Sequence, residues 1–493
     1  VLSKNSGMTY LFISDHFLAP FQAWPKRPAI GGVTLSIPDF TKLFADIDHC
    51  LDRYMQELCG FLRIPGISVS DNSEAMVRSA EWLLDKLRTL DFTGDLYHTQ
   101  GWPIVLARRE YNKAAPTLLI YGHYDVQPEV PLEEWLSPPF EPTFRDGAVF
   151  ARGANDDKGQ LYTYIKALET YQRVVGTLPL NIVFLVEGEE EIGSKNLLLF
   201  IEANKEQLHS DVFLVSDSSM LSKNIPAITC GFRGIVSFEI AVRTMAKDLH
   251  SGLFGGITLN AAEVMSRLLT KMKDADGRIT VPGFYDDVRP LDERERSAMA
   301  QLAYDETAVA RNLGMTALPG EGGYTAIERK SARPTLDING MWSGFTGEGS
   351  KNVISARAFA KLSARLVPKQ RPDVIFKCFE AFIAENLPTG VKADIRYLFG
   401  TMPVITDVDD PKVRLAVEAI KEGFGTAPAF IRSGGTIHII SEIKDSLKIP
   451  SMLILGWGRP ENGSHSPNEC FYIEDFRNAI RSLCVLFAKL AQY

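Results

Sequence analysis

The sequence predicts an α/β protein with a mostly parallel central sheet flanked by helices, and a smaller α+β unit inserted into it. Three observations carry this. Short apolar runs, TLLIYGH at 117–123, NIVFLVEGEEE at 181–191, DVFLVSD at 211–217 and SMLILGWG at 451–458, each stop abruptly at polar residues. Helical-period segments separate and follow them: Leu161, Tyr164, Ile165, Leu168 and Tyr171 in one, Leu197 to Leu208 in another. Buried strands alternating with helices make a parallel sheet. Between these regions the texture changes to strands with one apolar face.

In chain order, Pro38 to Arg63 places Phe40, Leu43, Phe44, Ile47, Leu51, Met55 and Leu58 at helical spacing, and Pro65-Gly66 stops that helix. A second amphipathic helix is expected at about 73–90. IVSFEIAVRT at 235–244 and AKLSARLVPK at 360–369 alternate as half-exposed strands do, beside helix-like stretches at 260–273 and 371–386. These form the insert, with boundaries near 222–232 and 395–405. The Pro-, Gly- and charge-rich stretch 277–335 predicts loops and short helices, and a last helix at about 472–490 closes the first domain. The expected organisation is 36–224 and 401–493 for the main domain, 225–400 for the insert and 1–35 as an N-terminal extension.

Composition excludes several classes. With 493 residues, 45% of them hydrophobic, the chain can bury a sizeable core. Its 53 Lys+Arg against 61 Asp+Glu give a net charge of −8, which argues against a nucleic-acid partner. No window approaches the roughly 20 apolar residues of a membrane span. The opening segment is interrupted by Asp15 and His16 and does not read as a secretory leader. Cysteines 50, 59, 230, 378, 470 and 484 are scattered, as reduced thiols in a cytoplasm would be.

Sites on parallel sheets form beyond the carboxyl ends of strands. Here those ends deliver His123 and Asp125, then Glu189, Glu190 and Glu191, then Asp217, and lastly a Gly-rich loop with His465. Any one of these reads as a polar strand cap; four strands doing so together do not. His, Asp and Glu without cysteine suit a hydrolytic zinc or manganese site. Two cations about 3.5–4 Å apart need a bridging carboxylate, for which Asp156 in ARGANDDKGQ is the candidate. Consecutive glutamates point in different directions, so one of them can bind metal while its neighbour faces the attacking water and takes its proton.

HYDVQP at 123–128, ARGANDDKG at 151–159, EGEEEIGS at 187–194, SDSS at 216–219, DLHSGLFGG at 248–256, RLVP at 365–368, RSGGT at 432–436 and SHSPNE at 464–469 occur in that order. From about residue 50 onward the chain resembles the two-metal aminopeptidase-fold family of cytosolic carnosine-type dipeptidases, glutamate carboxypeptidase, aminoacylase and acetylornithine deacetylase. It looks most like the cytosolic dipeptidases.

The resemblance implies a phosphorylase/hydrolase-like catalytic domain of zinc-exopeptidase type, with the insert as a lid and dimerisation domain. It implies His123 and Asp217 on one metal, Glu191 and His465 on the other, Asp156 bridging, Glu190 as base and Asp125 orienting His123. The ions would be two per subunit: Zn²⁺ first, Mn²⁺ or Co²⁺ as alternatives. His250 would stabilise the oxyanion in the other subunit's site, and Arg365 would bind the substrate carboxylate with Thr436 and Asn352 nearby. A cis peptide between Asp156 and Asp157 is implied too.

Two departures touch substrate recognition. Lys351-Asn352-Val353-Ile354-Ser355 stands where such dipeptidases read Lys-Thr-Val-Ile-Pro, and Ile437-His438 follows Thr436 where a Pro often stands. Histidines 16, 49, 98 and 209 read as ordinary surface or structural residues, and His438 is undecided. The expected activity is hydrolysis of a dipeptide or similar short amide with a free C-terminal carboxylate, by a cytoplasmic homodimer. The alternatives are an N-acyl amino acid deacylase and a non-catalytic binding protein on the same fold.

Overall fold

The computed structural model describes residues 38–302 and 304–493; the expected extension 1–35 and its His16 lie outside the described residues. Two compact units emerge, one of residues 38–230, 406–431 and 442–493, the other of 231–405 and 432–441. The sequence boundaries leave 432–441 with the main domain. The structure groups it with the insert, where its backbone and side chains bond Arg233 and Arg365.

The first unit opens with helix α1 (Phe40–Leu62), capped by Asp39, which accepts from Thr41 N at 3.0 Å. Leu43, Ile47, Tyr54, Leu58 and Leu62 form its buried stripe. Helix α2 (Ser73–Arg88) is capped by Asn72 and stacks Trp82 on Phe61 of α1, ring centroids 4.4 Å apart. Strands β1 (Thr93–Tyr97), β2 (Ile104–Arg109) and β3 (Thr117–His123) follow, then α3 (Lys158–Val175), β4 (Asn181–Glu187), β5 (Val212–Val215) and β6 (Ala227–Phe232). The expected single helix from Leu197 to Leu208 is broken at Asn204 into Lys195–Ala203 and Lys205–Leu208, because the Asn204 amide turns back to donate to Phe200 O.

The second unit contains β7 (Gly234–Arg243), α4 (Ala261–Thr270), β8 (Thr335–Ser343), β9 (Arg357–Leu366), α5 (Pro372–Asn386) and β10 (Lys392–Thr401). Its antiparallel sheet runs β8-β9-β7-β10, and Val236, Phe238, Ile240 and Val242 of β7 form its core with Leu268 and Phe379. Three short helices, Glu293–Ala300, Glu306–Asn312 and Ala326–Ala332, occupy the loop-rich stretch. The chain then returns to the first unit with α6 (Pro411–Phe424), β11 (Ser451–Gly456) and α7 (Ile473–Leu490).

The sheet of the first unit runs β1-β2-β4-β3-β5-β11-β6. Its centre, β4-β3-β5-β11, is parallel, with antiparallel pairing at both flanks. Every residue of β4 and of β11 is buried, as a sheet covered on both faces requires. The four carboxyl ends therefore open at one edge.

One carboxylate ties three helices together beneath this sheet. Glu57 of α1 accepts from Lys166 Nζ at 2.5 Å, Tyr162 OH at 2.7 Å, Arg53 Nη1 at 2.8 Å and Lys86 Nζ at 3.2 Å. Burial alone would raise its pKa, but the Lys166 and Tyr162 hydrogen bonds override this and hold it at about 2. A depressed carboxylate stabilises fully above its ordinary value of 4.5 and loses that contribution as pH falls toward about 2. Allowing for solvent screening, Glu57→Gln should cost about 1–2 kcal/mol at neutral pH. In melting curves recorded against pH, the gap from wild type should close between 4.5 and about 2; a gap independent of pH would contradict this.

Candidate active site

At the open edge of the first unit, His123 ends β3 and is fully buried. Its Nε2 lies 3.1 Å from Asp156 Oδ1 and 4.0 Å from Asp217 Oδ2. Its Nδ1 faces Asp125, 3.1 Å from the backbone carbonyl and 3.4 Å from Oδ1. That contact fixes the ring so that Nε2 points into the cluster. The other oxygen of Asp156, Oδ2, lies 3.0 Å from His465 Nε2, which is 3.3 Å from Glu191 Oε2. Two groups thus form, His123–Asp156–Asp217 and Asp156–Glu191–His465, with donor atoms within 4.8 Å of one another in each. Asp156 belongs to both and offers one oxygen to each.

Local backbone makes this possible. Asp156 sits in the loop entering α3, and the Asp156–Asp157 peptide is cis. Glu190 and Glu191 occupy a 3-10 turn (Glu190–Ile192) directly after β4, and Asp125 Oδ2 accepts from Glu191 N at 3.2 Å. His465 stands at φ 63° on the loop after β11.

The electrostatics are those of crowded acids. Among the described residues, Asp125, Asp156, Glu191 and Asp217 pair with histidine, and neither these four nor Glu190 pair with lysine or arginine. Burial raises Asp217 to about 7, with Asp156 adding to it. Burial likewise raises Glu190 well above its ordinary value; His123 opposes this, while Asp217, Glu191 and Asp156 reinforce it. His465 is lifted to about 10 by its hydrogen bonds to Asp156 and Glu191. Glu191 Oε1 is buried without a hydrogen-bond partner. Oxygen and imidazole donors, an orphaned carboxylate oxygen and excess negative charge fit two divalent cations.

Two residues without an assigned role in the sequence reading organise the cluster. Gln127 Nε2 donates to Glu191 Oε2 at 2.8 Å. Glu469, fully buried, accepts four hydrogen bonds: Asn155 N at 2.8 Å and Asp156 N at 3.0 Å on Oε1, Arg152 Nη1 at 2.8 Å and Gly153 N at 3.0 Å on Oε2. Both stand inside motifs visible in the sequence, HYDVQP and SHSPNE, but nothing in the sequence marks a glutamate as an acceptor for another loop's amides.

The remaining candidates lie in the second unit. Arg365 on β9 donates through Nη1 to Thr436 Oγ1 at 2.7 Å. His250 and Asn352 are exposed, and the pairing of Leu249–His250 with Val353–Ile354 brings them together; Ser251 N donates to Asn352 O at 3.2 Å. His438 opens a helix, His438–Leu447. Among the described residues no helix is long and apolar enough to cross a membrane.

A parallel-centred sheet that gathers carboxylates and imidazoles around one shared aspartate defines a metallohydrolase of the two-ion type. The chain belongs to Peptidase family M20/M25/M40, whose family model matches residues 119–489, and it is a peptidase. It is 32% identical over 448 residues to the Beta-Ala-His dipeptidase of Mus musculus, covering 87% of this chain and 91% of that one. It is 29% identical over 465 residues to the Cys-Gly metallodipeptidase DUG1 of Candida albicans, covering 90% and 95%. Among solved structures, the M20 family metallo-carboxypeptidase Sso-CP2 from Sulfolobus solfataricus superposes with a TM-score of 0.78 at 32% identity, covering 89% of this chain and 99% of that one. Human carnosine dipeptidase 1 does so with a TM-score of 0.74 at 28% identity, covering 93% and 100%.

Glu469→Gln replaces two acceptor oxygens by one and leaves Arg152 a buried cation without its counter-ion. The variant should lose about 3–5 kcal/mol of stability in metal-free protein. Chelator-treated samples unfolded in urea read this directly, and unchanged stability would remove Glu469 from its organising role.

Proposed function

We propose that the protein is a di-metal dipeptidase, hydrolysing the amide bond of dipeptides or similar short substrates with a free C-terminal carboxylate. The observation that carries this is Asp156, offering one oxygen to each of two His-carboxylate groups. His123 and Asp217 hold one cation, Glu191 and His465 the other, and Asp156 bridges, with Zn²⁺ first and Mn²⁺ or Co²⁺ as alternatives. Bound there, the ions supply Lewis acidity toward the carbonyl and acidify the attacking water.

Glu190 takes a proton from that water as its oxygen bonds to the carbonyl carbon. It then passes the proton to the amide nitrogen as the C–N bond breaks, giving a carboxylate and a free amine. Asp125 orients His123 through Nδ1. Arg365, with Thr436 and Asn352, receives the substrate's carboxylate; a guanidinium fork offers it two parallel hydrogen bonds. The insert serves as lid and dimerisation domain, and His250 of one subunit reaches the other's site to stabilise the oxyanion. The dipeptidase names of the relatives support this substrate class, and a cytoplasmic location accompanies it.

Stripping with a chelator should abolish activity, and Zn²⁺, Mn²⁺ or Co²⁺ should restore it. On a panel of β-Ala-His, Cys-Gly and N-acetyl amino acids, dipeptides should dominate by orders of magnitude; dominance of the acetylated compounds would replace this reading by deacylation. Glu190→Gln should lower kcat by about 10²–10⁴-fold with metal content unchanged. Mixing His250→Ala with Glu190→Ala subunits should regenerate activity; verified heterodimers without rescue would confine His250 to its own subunit.

A further inference from the structure

Buried arginines in this chain are paired with carboxylates almost as a rule. Arg152 faces Glu469, Arg333 is gripped at two points by Glu321, and Arg459 is gripped by Asp475. Arg233 and Arg365 are less deeply buried and have no such partner. Both are part-buried in the second unit, and among the described residues neither lies within 4.0 Å of a carboxylate. Leaving cations out of water and unpaired is costly unless something else meets them.

The fold brings the two together. Arg365 pairs with Ile235 across β9 and β7, so Arg233, two residues before Ile235, lies at the same end of the sheet. Both are fastened to one turn, Gly434–Thr436. Arg365 Nη1 donates to Thr436 Oγ1 at 2.7 Å, and that hydroxyl donates to Arg233 O at 2.5 Å. Arg233 N donates to Gly435 O at 3.1 Å, and Arg233 Nε to Gly434 O at 3.0 Å. Gly434 has no room for a side chain: a Cβ there would lie 2.5 Å from Lys330 O and 3.3 Å from Arg233 Nη2. Arg233 Nη1 is held by Arg333 O at 3.2 Å, leaving Nη2 without a hydrogen-bond partner, while Arg365 keeps Nε and Nη2.

We propose that Arg233 is a second substrate-binding cation, and that the substrate's C-terminal carboxylate is held between the Arg233 and Arg365 guanidiniums. The inference rests on the carboxylate role given to Arg365 above and extends it to a residue outside that role. Like charges fastened to one turn repel, and an anion between them relieves the repulsion while taking donors that no protein group uses. Burial pulls Arg233 down to about 10, and the neighbouring Arg365 cation pushes the same way. Both remain charged at neutral pH. Asp337, the nearest acid to act on either, is solvent-exposed and has Thr335 Oγ1 as its partner at 3.3 Å, so it offsets them only at range.

The test compares wild type, Arg233→Gln, Arg233→Lys and Arg365→Gln on β-Ala-His and on its C-terminal amide. Arg233→Gln should raise KM for the free acid roughly 10–100-fold with kcat largely kept, and leave KM for the amide unchanged. Arg233→Lys keeps the charge and should recover most of the loss. An unchanged KM, an equal rise on acid and amide, or a lysine variant as poor as the glutamine one would overturn the proposal. Calorimetric binding of histidine against histidinamide reads the same preference without turnover. If Arg365→Gln abolishes the preference and Arg233→Gln does not, this inference alone falls. If neither variant alters it, the carboxylate role of Arg365 falls with it.

Discussion

Glu469 is the constraint on which the catalytic end of the first unit depends. Its two oxygens accept from three successive stretches of one loop and from the Arg152 guanidinium, and its own carbonyl accepts from Ala151 N at 3.1 Å. The loop from 151 to 156 is thereby laced to the segment that carries His465, four residues before Glu469. Asp156 and His465 come from distant parts of the chain, yet they approach to 3.0 Å; Glu469 joins their segments, with Asn155 bonding Ser464 and Asn462 beside it. Hydrogen bonds to a carboxylate are among the stronger ones, and three of the four immobilise backbone that would otherwise be a free loop. The same segment feeds α3 at Lys158, whose buried Nζ donates to Phe61 O and Ile64 O at the end of α1. The loop that carries Asp156, the helix behind it and the helix behind that are therefore one connected object.

This rigidity makes the acid cluster tolerable. Five carboxylates near one another repel, and burial adds a desolvation cost for each charge. A flexible loop would relax by moving Asp156 out to water. Held by Glu469, it cannot, and the cluster keeps its negative charge focused at the sheet edge. Perturbed pKa values of this kind arise where a fold gathers like charges away from water. Here Asp156 is held down by two histidines, while Asp217 and Glu190 are pushed up by burial and by their neighbours.

Legibility in the sequence followed side-chain periodicity. The parallel strands β3, β4, β5 and β11 are continuous apolar runs ending in polar residues, so both their existence and the position of His123, Glu190, Glu191 and Asp217 could be read directly. Strands β8 and β10 could not. Each carries a bulge, between Ile338 and Gly340 in one and Tyr397 and Phe399 in the other, and a bulge breaks the alternation that identifies a strand. Strand β1 is short and half-exposed, with too little pattern to register. Glu469 and Arg233 were hidden for another reason: their partners are backbone groups far away in the chain, and backbone amides and carbonyls leave no trace in residue identity.

Each of the two units carries a charge demand of its own. The first unit gathers acids that call for cations; the second fastens two arginines, without acidic partners, to a glycine-tight turn. A neutral ester or an amide without a terminal charge would leave the arginines unmet. A free carboxylate meets such guanidiniums with parallel hydrogen bonds, and in a peptide it is the part of the molecule that does not react. Binding energy from that remote group is available to position the scissile amide, which is how a small substrate with few contacts can still be held for chemistry. The turn at Gly434–Thr436 is what fixes both guanidiniums, through two of its carbonyls and one hydroxyl, so the spacing of the two cations depends on it.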